Sequence, residues 1–406
     1  MGSNNVDDPK MPQVGTIIKH PTYDFQVIRV LASGPFSDVF IVRETRSSKL
    51  YAMKVEREEG NIRPVLKLDV FVLTQLGVHI GFPQLLAAYR TKYYKFAVMQ
   101  LVGPDLGRLR RAMPGKRFST STALQICIQT LRRIETLHDL GWLCRDIKAP
   151  NFAIGSDDRD GIVYMLDFGF ARRYRDKFGN LLPPRPAAAL LGTIHYASLA
   201  SHQNQEQCRR DDLESWLYMC VELCAGSLPW AKLDPLKHHK IICDWKQFIR
   251  VHGRELFFQD CPEELDHILS IIDSLSFTDR PHYEMMEYQL RLAQERLNLD
   301  PYAKLDWQHT PMLKQKANFV GEIGQSNQAS LEMRNFMNPA SEAMIRHAEQ
   351  NSEARIRHAE DQGMTGRPEA MIRRPEEESG VMTAVEPQYS FTNTALELSP
   401  RNKIKN

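Results

Sequence analysis

Residues 143–151 read Leu-Cys-Arg-Asp-Ile-Lys-Ala-Pro-Asn, and residues 167–169 read Asp-Phe-Gly. A short apolar run between the two stretches predicts a β-strand. We expect this strand to bring Asp146, Asn151 and Asp167 around one volume of the size of a phosphate. Carboxylate and amide oxygens are ligands that hard divalent cations prefer. The spacing therefore predicts phosphoryl transfer, with Asp146 as the base for a substrate hydroxyl and with Asn151 and Asp167 as magnesium ligands.

Length and composition predict a large folded core. The chain has 406 residues, of which 42% are hydrophobic and 25% are charged, and its length suggests two or three domains. The net charge of +2 indicates no class of partner. The first residues, Met1 to Asp8, contain no apolar run, so we expect neither a secretory signal nor a membrane span. Gly2 does not predict myristoylation, because Val6 stands where Ser or Thr is needed.

The seven cysteines are scattered and show no zinc-binding spacing. Free thiols in a reducing compartment fit this pattern, so we expect a location in the cytoplasm, the nucleus or both. A basic cluster at residues 108–117 has no interleaved aromatic residues. The cluster therefore favours a solvated surface over a nucleic-acid site. We expect a monomer without a nucleic-acid or membrane partner.

Two strands are predicted at residues 24–31 and 38–43, where apolar residues recur in short runs. Their connection occupies the place of a glycine-rich phosphate loop, G-x-G-x-x-G-x-V, of which Gly34 and Val39 remain. Pro35 has no backbone N–H, so the loop has one donor fewer for a phosphate. Taken alone, this connection would be interpreted as an ordinary hairpin turn.

One lysine stands in an apolar strand predicted at residues 50–55. We expect Lys54 to hold the α- and β-phosphates of a nucleotide, with Ala52 beside it in the binding site. The helix predicted at residues 63–76 carries Asp69, the acid that we expect to pair with Lys54. Because Asp is one methylene shorter than Glu, this pair would need a close helix or an intervening water.

Two further apolar runs, residues 85–89 and 95–101, complete a small predicted sheet, which a Gly-Pro pair ends. We therefore expect the segment from Gln100 to Val102 to be a hinge whose backbone contacts adenine.

Two helices are predicted in the second half of the chain. Residues 119–141 form an amphipathic pattern that leads into the loop of Asp146. The helix predicted at residues 212–225 begins with Asp212, to which the resemblance described below gives the role of bracing that loop. An acid at a helix N-terminus is also stabilised by the helix dipole, so this position fits an ordinary structural role as well.

These motifs resemble the eukaryotic protein kinases over residues 24–308. Within them the chain is most similar to the casein-kinase-one superfamily, in particular its tau-tubulin kinase-like branch. The residues that carry the resemblance are Arg145 to Lys148, Asn151 to Gly155, Leu166 to Arg172, Gly192-Thr193, Tyr196 to Ser198, Arg209 to Trp216 and Gly226 to Trp230. Ser198-Leu199-Ala200 stands where most kinases have Ala-Pro-Glu, as is usual in this superfamily.

The resemblance implies an α+β bilobal kinase that uses ATP and magnesium to modify Ser or Thr of protein substrates, with acidic substrates as one candidate class. The small lobe would span residues 24–102 and the large lobe residues 103–308. Lys148 and Thr193 match the Ser/Thr class, with Lys148 in a catalytic role. The resemblance assigns supporting roles to Arg145, Phe168, Gly169, Thr193 and Asp212.

The chain departs from the resemblance at Cys144, which replaces a histidine that supports geometry and transfers no proton. His195 stands where the superfamily has an arginine that binds phosphorylated substrates, which argues against phosphate-primed recognition. Between Phe170 and Gly192 there is no Ser or Thr, and Tyr174 is the one hydroxyl. We therefore expect activity without phosphorylation of this segment.

The ends of the chain are predicted to lie outside the kinase domain, as a leader at residues 1–23 and a polar tail at residues 309–406. The tail contains an 11-residue near-repeat, Ser341–Glu349 and Ser352–Glu360, with a partial third copy at Glu369–Arg373. Eleven residues make three helical turns, so equivalent side chains share one face. The thin apolar stripe favours an isolated exposed helix over a coiled coil. We expect the tail to be largely disordered or partly helical.

The sequence leaves a second functional hypothesis open, a pseudokinase that binds nucleotide and serves as a scaffold or regulator. The charged groups of the transition state are present at Lys54, Asp146, Asn151 and Asp167. The departures are confined to supporting positions, which are Ala32, Ser37, Asp69 and Cys144. Because electrostatic stabilisation usually contributes most to catalysis, the sequence favours an active kinase.

Overall fold

A computed structural model of the chain describes residues 11–34, 37–58 and 65–309. Apart from Ser33 and Gly34, these residues belong to one compact unit. The near-repeat and nearly all of the predicted tail lie outside the described residues, as do the first ten residues of the predicted leader.

The N-terminal part forms a six-stranded sheet in the order β1-β2-β3-β4-β6-β5. Its strands are β1 (Ile17–Lys19), β2 (Asp24–Ser33), β3 (Asp38–Glu44), β4 (Leu50–Arg57), β5 (Leu85–Arg90) and β6 (Tyr94–Gln100). One face is apolar and packs into a small core that includes Phe25, Val42, Met53 and Phe96. This confirms the small β-rich lobe. Strand β1 lies within the segment predicted as a leader, and it pairs with β2.

A single helix, α1 (Leu66–Leu76), packs against this sheet through β4, β5 and β6. Val65 and Leu66 donate their backbone N–H groups to Oε2 of Glu56, both at 2.7 Å. A carboxylate on β4 thus caps the helix in place of a local Ser, Thr or Asp side chain. The predicted start at residue 63 lies outside the described residues.

The C-terminal part is mainly helical. Its helices are α2 (Leu106–Ala112), α3 (Thr120–Asp139), α4 (Leu199–His202), α5 (Arg209–Ala225), α6 (His239–Val251), α7 (Arg254–Phe258), α8 (Glu264–Asp273), α9 (Tyr283–Arg296) and α10 (Asp306–His309). Helix α3 starts after Ser119, whose side chain accepts the Thr122 N–H at 3.2 Å, and ends before Gly141, whose φ is +86°. Helix α5 begins three residues before the predicted position, because Asp211 accepts the backbone N–H of Cys208 at 2.7 Å.

The large lobe has its own core around α3 and α5, in which Trp216, Trp230 and Trp307 are fully buried. Trp307 packs on Phe118 with 5.8 Å between ring centroids and donates its indole N–H to the Asp160 carbonyl at 3.0 Å. The lobe therefore includes the chain up to α10. All seven cysteines are free thiols, as predicted. Within the described part of the chain, no helix is long and apolar enough to span a membrane.

Two short antiparallel ribbons in the large lobe frame the loops of interest. Strand β7 (Trp142–Leu143) pairs with β10 (Arg172–Arg173), and β8 (Phe152–Ile154) pairs with β9 (Val163–Met165). The loop of residues 144–151 runs from β7 to β8, and Asp167 follows β9. The ribbons thus bring the Asp146 loop and the Asp-Phe-Gly motif to the same place.

Candidate active site

Asp146, the predicted base, and its neighbours form a closed hydrogen-bonded group. Asp146 is 6% exposed, and its Oδ1 accepts the Thr193 hydroxyl at 2.8 Å while its Oδ2 lies 2.8 Å from Lys148 Nζ. Lys148 Nζ also donates to the Thr193 hydroxyl oxygen at 2.8 Å. Asn151 Nδ2 donates to the Asp146 carbonyl at 2.8 Å. The structure thus brings together four of the residues predicted for the site, Asp146, Lys148, Asn151 and Thr193.

Asp212 braces the same loop from the start of α5, as predicted. Its two oxygens accept the backbone N–H groups of Cys144 at 2.7 Å and Arg145 at 2.8 Å. Arg145 has a φ of +65°, a conformation that non-glycine residues rarely adopt, and its Nε donates to the Phe170 carbonyl at 2.9 Å. Cys144 is buried, and burial raises the pKa of its thiol. Its backbone N–H, and not its side chain, bonds Asp212.

A buried histidine completes the brace. His138 on α3 places Nε2 at 2.9 Å from Asp212 Oδ2 and Nδ1 at 2.6 Å from the Tyr283 hydroxyl. His138 is fully buried. It therefore links α3, α5 and α9 behind the loop, a role that was not predicted from the sequence.

Lys54 joins the small lobe to the Asp-Phe-Gly motif. Its Nζ lies 2.7 Å from Asp69 Oδ2 and 2.9 Å from Asp167 Oδ1. Burial alone would lower the pKa of Lys54, but the charges of Asp167 and Asp69 raise it above its ordinary value. Burial would likewise raise the pKa of Asp167, yet the Lys54 ammonium holds it below the ordinary value. The lysine is therefore charged, as a group that binds phosphates must be.

Asp69 pairs with Lys54 directly, which fits the first of the two expected arrangements, a helix close to the sheet, and needs no intervening water. Burial raises the pKa of Asp69 against the opposing charge of Lys54. Its second oxygen, Oδ1, accepts the backbone N–H of Phe168 at 3.0 Å. Phe168 is fully buried and packs on Phe82, with 6.2 Å between ring centroids. One carboxylate thus ties α1 to the lysine and to the backbone of the Asp-Phe-Gly motif.

Two glycines lie where backbone or side chains approach closely. A Cβ on Gly192 would lie 2.4 Å from the Arg145 carbonyl oxygen, and the φ of Gly192 is +86°. A Cβ on Gly169 would lie 2.9 Å from the Val65 Cβ. Gly169 N–H also donates to Asp167 Oδ1 at 3.1 Å. Both positions require glycine on steric grounds.

Two of the residues predicted to bind the nucleotide, Val39 and Ala52, share one face of the sheet with Lys54. Val39 is the register partner of Lys54, and Ala52, two residues before Lys54 on β4, points to the same side. The Gln100 N–H donates to the Gln84 carbonyl at 2.8 Å, so it is not a donor for adenine, and the prediction for Gln100 is confined to its carbonyl. Val102 lies half-buried in the connection from β6 to α2.

Gly34 follows β2 directly, and its neighbours Pro35 and Phe36 lie outside the described residues. Its assignment to the nucleotide site stays a prediction.

The side chains predicted for magnesium have suitable donor atoms. Asn151 uses its NH₂ group in bonds to Asp146, which leaves its amide oxygen to serve as the ligand atom. Asp167 uses Oδ1 for Lys54 and Gly169, which leaves Oδ2. In residues 11–309 with their two gaps, no group of three or more His, Cys, Asp or Glu is arranged to hold a metal. An ion here would be held by one Asp and one Asn, with phosphate oxygens completing its shell.

Comparison with known proteins identifies the family. The model of the protein kinase domain matches residues 25–310. The chain belongs to the protein kinase family.

Two relatives define the class of this kinase. The chain is 51% identical over 334 residues to the serine/threonine-protein kinase spe-6 of Caenorhabditis elegans. The aligned region covers 82% of this chain and 88% of the relative. The chain is also 32% identical over 283 residues to a probable serine/threonine-protein kinase of Dictyostelium discoideum. That aligned region covers 70% of this chain and 56% of the relative. The enzyme is a serine/threonine protein kinase and thus a transferase.

The activation segment of the kinase, residues 170–192, is held by a buried carboxylate. Glu206 is buried and bonds Arg172 Nε at 3.1 Å and both Nε and Nη2 of Arg185. Burial would raise the pKa of Glu206, but the Arg185 hydrogen bond and both arginine charges lower it. Tyr174 donates its hydroxyl to the His138 carbonyl at 2.6 Å. The segment's one hydroxyl is therefore already engaged inside the kinase.

His195 is half-buried and bonds within the large lobe. Its Nε2 lies 3.0 Å from the Leu233 carbonyl oxygen, and its own carbonyl accepts the Trp230 indole N–H at 2.9 Å. The expectation that substrates are recognised without a priming phosphate stays a prediction.

Three polar residues that organise the kinase site were not predicted from the sequence, namely Glu56, His138 and Glu206. His138 and Glu206 lie far along the chain from the groups that they contact, and the Glu56 contacts join a strand to the next helix, so motif spacing carried no sign of them. Glu56 offered one signal, because it is an acid near the end of a mostly apolar strand. Such an acid must find a partner when it is buried.

Proposed function

We propose that this kinase transfers the γ-phosphate of ATP to Ser or Thr hydroxyls with Asp146 as the base. The hydrogen-bonded group of Asp146, Lys148, Asn151 and Thr193 carries the proposal. Lys148 and Thr193 orient the carboxylate, and each carboxylate oxygen keeps further lone pairs for a substrate hydroxyl. Lys148 also places a positive charge beside the acceptor oxygen, where negative charge develops in the transition state.

Lys54 would hold the α- and β-phosphates, with Val39, Ala52, Gly34, Gln100 and Val102 around the rest of the nucleotide. Asn151 and Asp167 would hold magnesium, which when bound neutralises charge on the phosphates. Asp69 and Phe168 keep Lys54 and Asp167 in place for this role. The pseudokinase alternative is not favoured, because Lys54, Asp146 and Lys148 are all paired as the reaction needs.

We place the kinase in the casein-kinase-one superfamily, in its tau-tubulin kinase-like branch, on the sequence motifs that carry the resemblance. The same resemblance supports protein substrates with acidic sequences as the first class to test. We further propose a monomer located in the cytoplasm or the nucleus.

A phosphate-transfer assay with radiolabelled ATP, magnesium and casein tests the proposal. The wild-type kinase is expected to label Ser and Thr, and Asp146→Asn to reduce the rate by about 10²–10⁴-fold, the usual contribution of a general base. ATP affinity of Asp146→Asn should stay near the wild-type value, because Asp146 contacts the acceptor. Wild-type protein that binds ATP and labels neither casein nor an acidic peptide would establish the pseudokinase instead.

A further inference from the structure

A buried lysine outside the catalytic group is placed to act on the substrate-binding side of the kinase. Lys246 on α6 is fully buried. It stands in the inward stripe of the helix between the apolar residues Ile242 and Ile249. A charged group at such a position is unfavourable unless hydrogen bonds satisfy it. Its partners therefore indicate what the charge is for.

The ammonium of Lys246 has three donors and three acceptors. Nζ donates to the Ile194 carbonyl at 2.9 Å and to the Ala197 carbonyl at 2.6 Å, and it lies 3.1 Å from His202 Nε2. The ammonium also lies 5.0 Å from the ring centre of Tyr218 and 5.5 Å from that of Trp230.

The two carbonyls belong to a turn that begins at Thr193. The Thr193 carbonyl accepts the N–H groups of Tyr196 at 2.8 Å and Ala197 at 3.0 Å, while its hydroxyl bonds Asp146 and Lys148. The residues that follow Thr193 therefore lie next to the place where an acceptor hydroxyl must reach Asp146. Lys246 holds this turn from inside the lobe.

We propose that Lys246 is a positioning residue that fixes the turn of residues 193–197 in the shape that binds the acceptor segment of a protein substrate. The proposal rests on the proposed function of Asp146. Lys246 touches neither the nucleotide nor the acceptor and acts through the backbone of Ile194 and Ala197.

The ionisation of Lys246 adds a pH dependence to this role. Burial lowers its pKa to about 7, and burial together with the Lys246 charge lowers the pKa of His202 to about 3, so His202 stays neutral and accepts. Glu214 and Tyr218 on α5 and Cys243 and Arg250 on α6 also face Lys246. The charge of Glu214 is shared with Arg250 at 3.2 Å. A neutral amine keeps two donors for three acceptors, so the turn should loosen as the pH rises through 7.

Lys246→Met tests the proposal, since Met fills a similar volume without donors. Casein is the probe, and KM for casein, KM for ATP and kcat are measured separately between pH 6 and pH 9. Lys240→Met is the matched control, an exposed lysine on the same helix. We expect KM for casein to rise at least about tenfold in Lys246→Met, as for loss of a hydrogen bond from a charged donor, with a smaller effect on KM for ATP.

The pH profile separates positioning from mere support of the fold. In the wild type and in Lys240→Met, KM for casein should rise above pH 7, whereas in Lys246→Met it should be high and flat. The positioning role is overturned if kcat of Lys246→Met falls only as much as the fraction of folded protein falls, while KM for casein is unchanged. A wild-type KM that is flat from pH 6 to pH 9 would overturn the link to ionisation and with it the role of the three donors. Failure of the proposed function is distinct, because the wild type itself would then transfer no phosphate.

Discussion

Asp69 does two things with one carboxylate, and its size matters for both of them. It neutralises Lys54 and accepts the Phe168 N–H. Its side chain is 3% exposed, so little space surrounds it. The shorter acid is therefore matched to a helix that lies close to the sheet.

Asp69→Glu is expected to lower activity, although Glu is the more usual residue at this place in kinases. The extra methylene must be accommodated in a packed site, which typically costs about 1–3 kcal/mol and would separate Lys54 from its partners. We expect kcat/KM to fall by about tenfold, with KM for ATP raised.

Asp139→Glu is the control, since Asp139 is an exposed acid on α3. Activity of Asp69→Glu above the wild-type value would contradict the direct-pair geometry and favour a loose pair in solution.

Strand β4 holds helix α1 at two points. Lys54 and Glu56 are two residues apart on this strand, so their side chains point to the same face of the sheet. Lys54 reaches Asp69, and Glu56 caps the helix through Val65 and Leu66. Lys95 on β6 lies 3.4 Å from Glu56 and supports the cap. Contacts from the sheet thus determine the position of α1.

Glu56→Leu should release the N-terminus of α1, because it removes the acceptor for the two N–H groups of Val65 and Leu66. A lost cap typically costs about 1–2 kcal/mol, and the Lys54–Asp69 pair should weaken with it. Glu56→Gln keeps an acceptor oxygen and should keep most of the activity. Hydrogen exchange of residues 65–76 and kcat/KM are the measurements.

Glu58→Leu is the matched control for that series, since Glu58 pairs with Arg90 at the end of the same strand without capping α1. Equal loss of activity in Glu56→Leu and Glu58→Leu would show that the cap has no special role.

The ion pairs of Glu206 with Arg172 and Arg185, here called the Glu206 clamp, lead to a prediction for the activation segment. Wild-type kinase treated with a phosphatase should keep its activity, and Glu206→Gln should lose stability and activity without rescue by phosphorylation. Because the pKa of Glu206 is lowered from 4.5, its contribution is present above pH 4.5 and is lost as the pH falls through the lowered value.

Thermal unfolding at pH values from 3 to 7, together with transfer assays at pH 7, tests the clamp, with the exposed Glu255→Gln as control. Loss of activity after phosphatase treatment, restored by a phosphate on Tyr174, would reverse the assignment. The Tyr174 hydroxyl donates to His138, so a phosphate there should disturb the fold behind Asp212.

Across the whole molecule, nucleotide binding should depend on magnesium. Pro35 and the missing loop glycines reduce the number of amides that face phosphate, so Lys54 and the ion must do more. ATP with magnesium at 100 times its Kd should stabilise the fold by about 2.7 kcal/mol, measured as a rise in Tm. Addition of a chelator should remove most of that rise, and Asp167→Ala should abolish it. An equal rise with and without the chelator would contradict the magnesium assignment of Asn151 and Asp167.

Much of this molecule could be predicted because its motifs are local. Asp146, Lys148 and Asn151 lie within six residues, and the strand and helix patterns around them were strong enough to place both lobes. The brace by Asp212 was predicted from the resemblance alone. The contacts of His138, Glu206 and Lys246 join residues that are distant in the chain, and the Glu56 cap joins a strand to the next helix. No periodicity or spacing encodes either kind of contact. The direct pair of Asp69 depended on how close α1 lies to the sheet, which the Glu56 cap decides.

The hydrogen bond from Phe168 to Asp69 also determines which inhibitors suit this enzyme. A compound that needs the pocket of the Phe168 ring must expel a fully buried aromatic side chain and break that bond. Loss of the bond also disturbs the acid that neutralises Lys54, so such a compound works against two sets of contacts at once. A compound confined to the nucleotide pocket leaves both intact. Inhibitor screens against this kinase should therefore be enriched in compounds of the second kind.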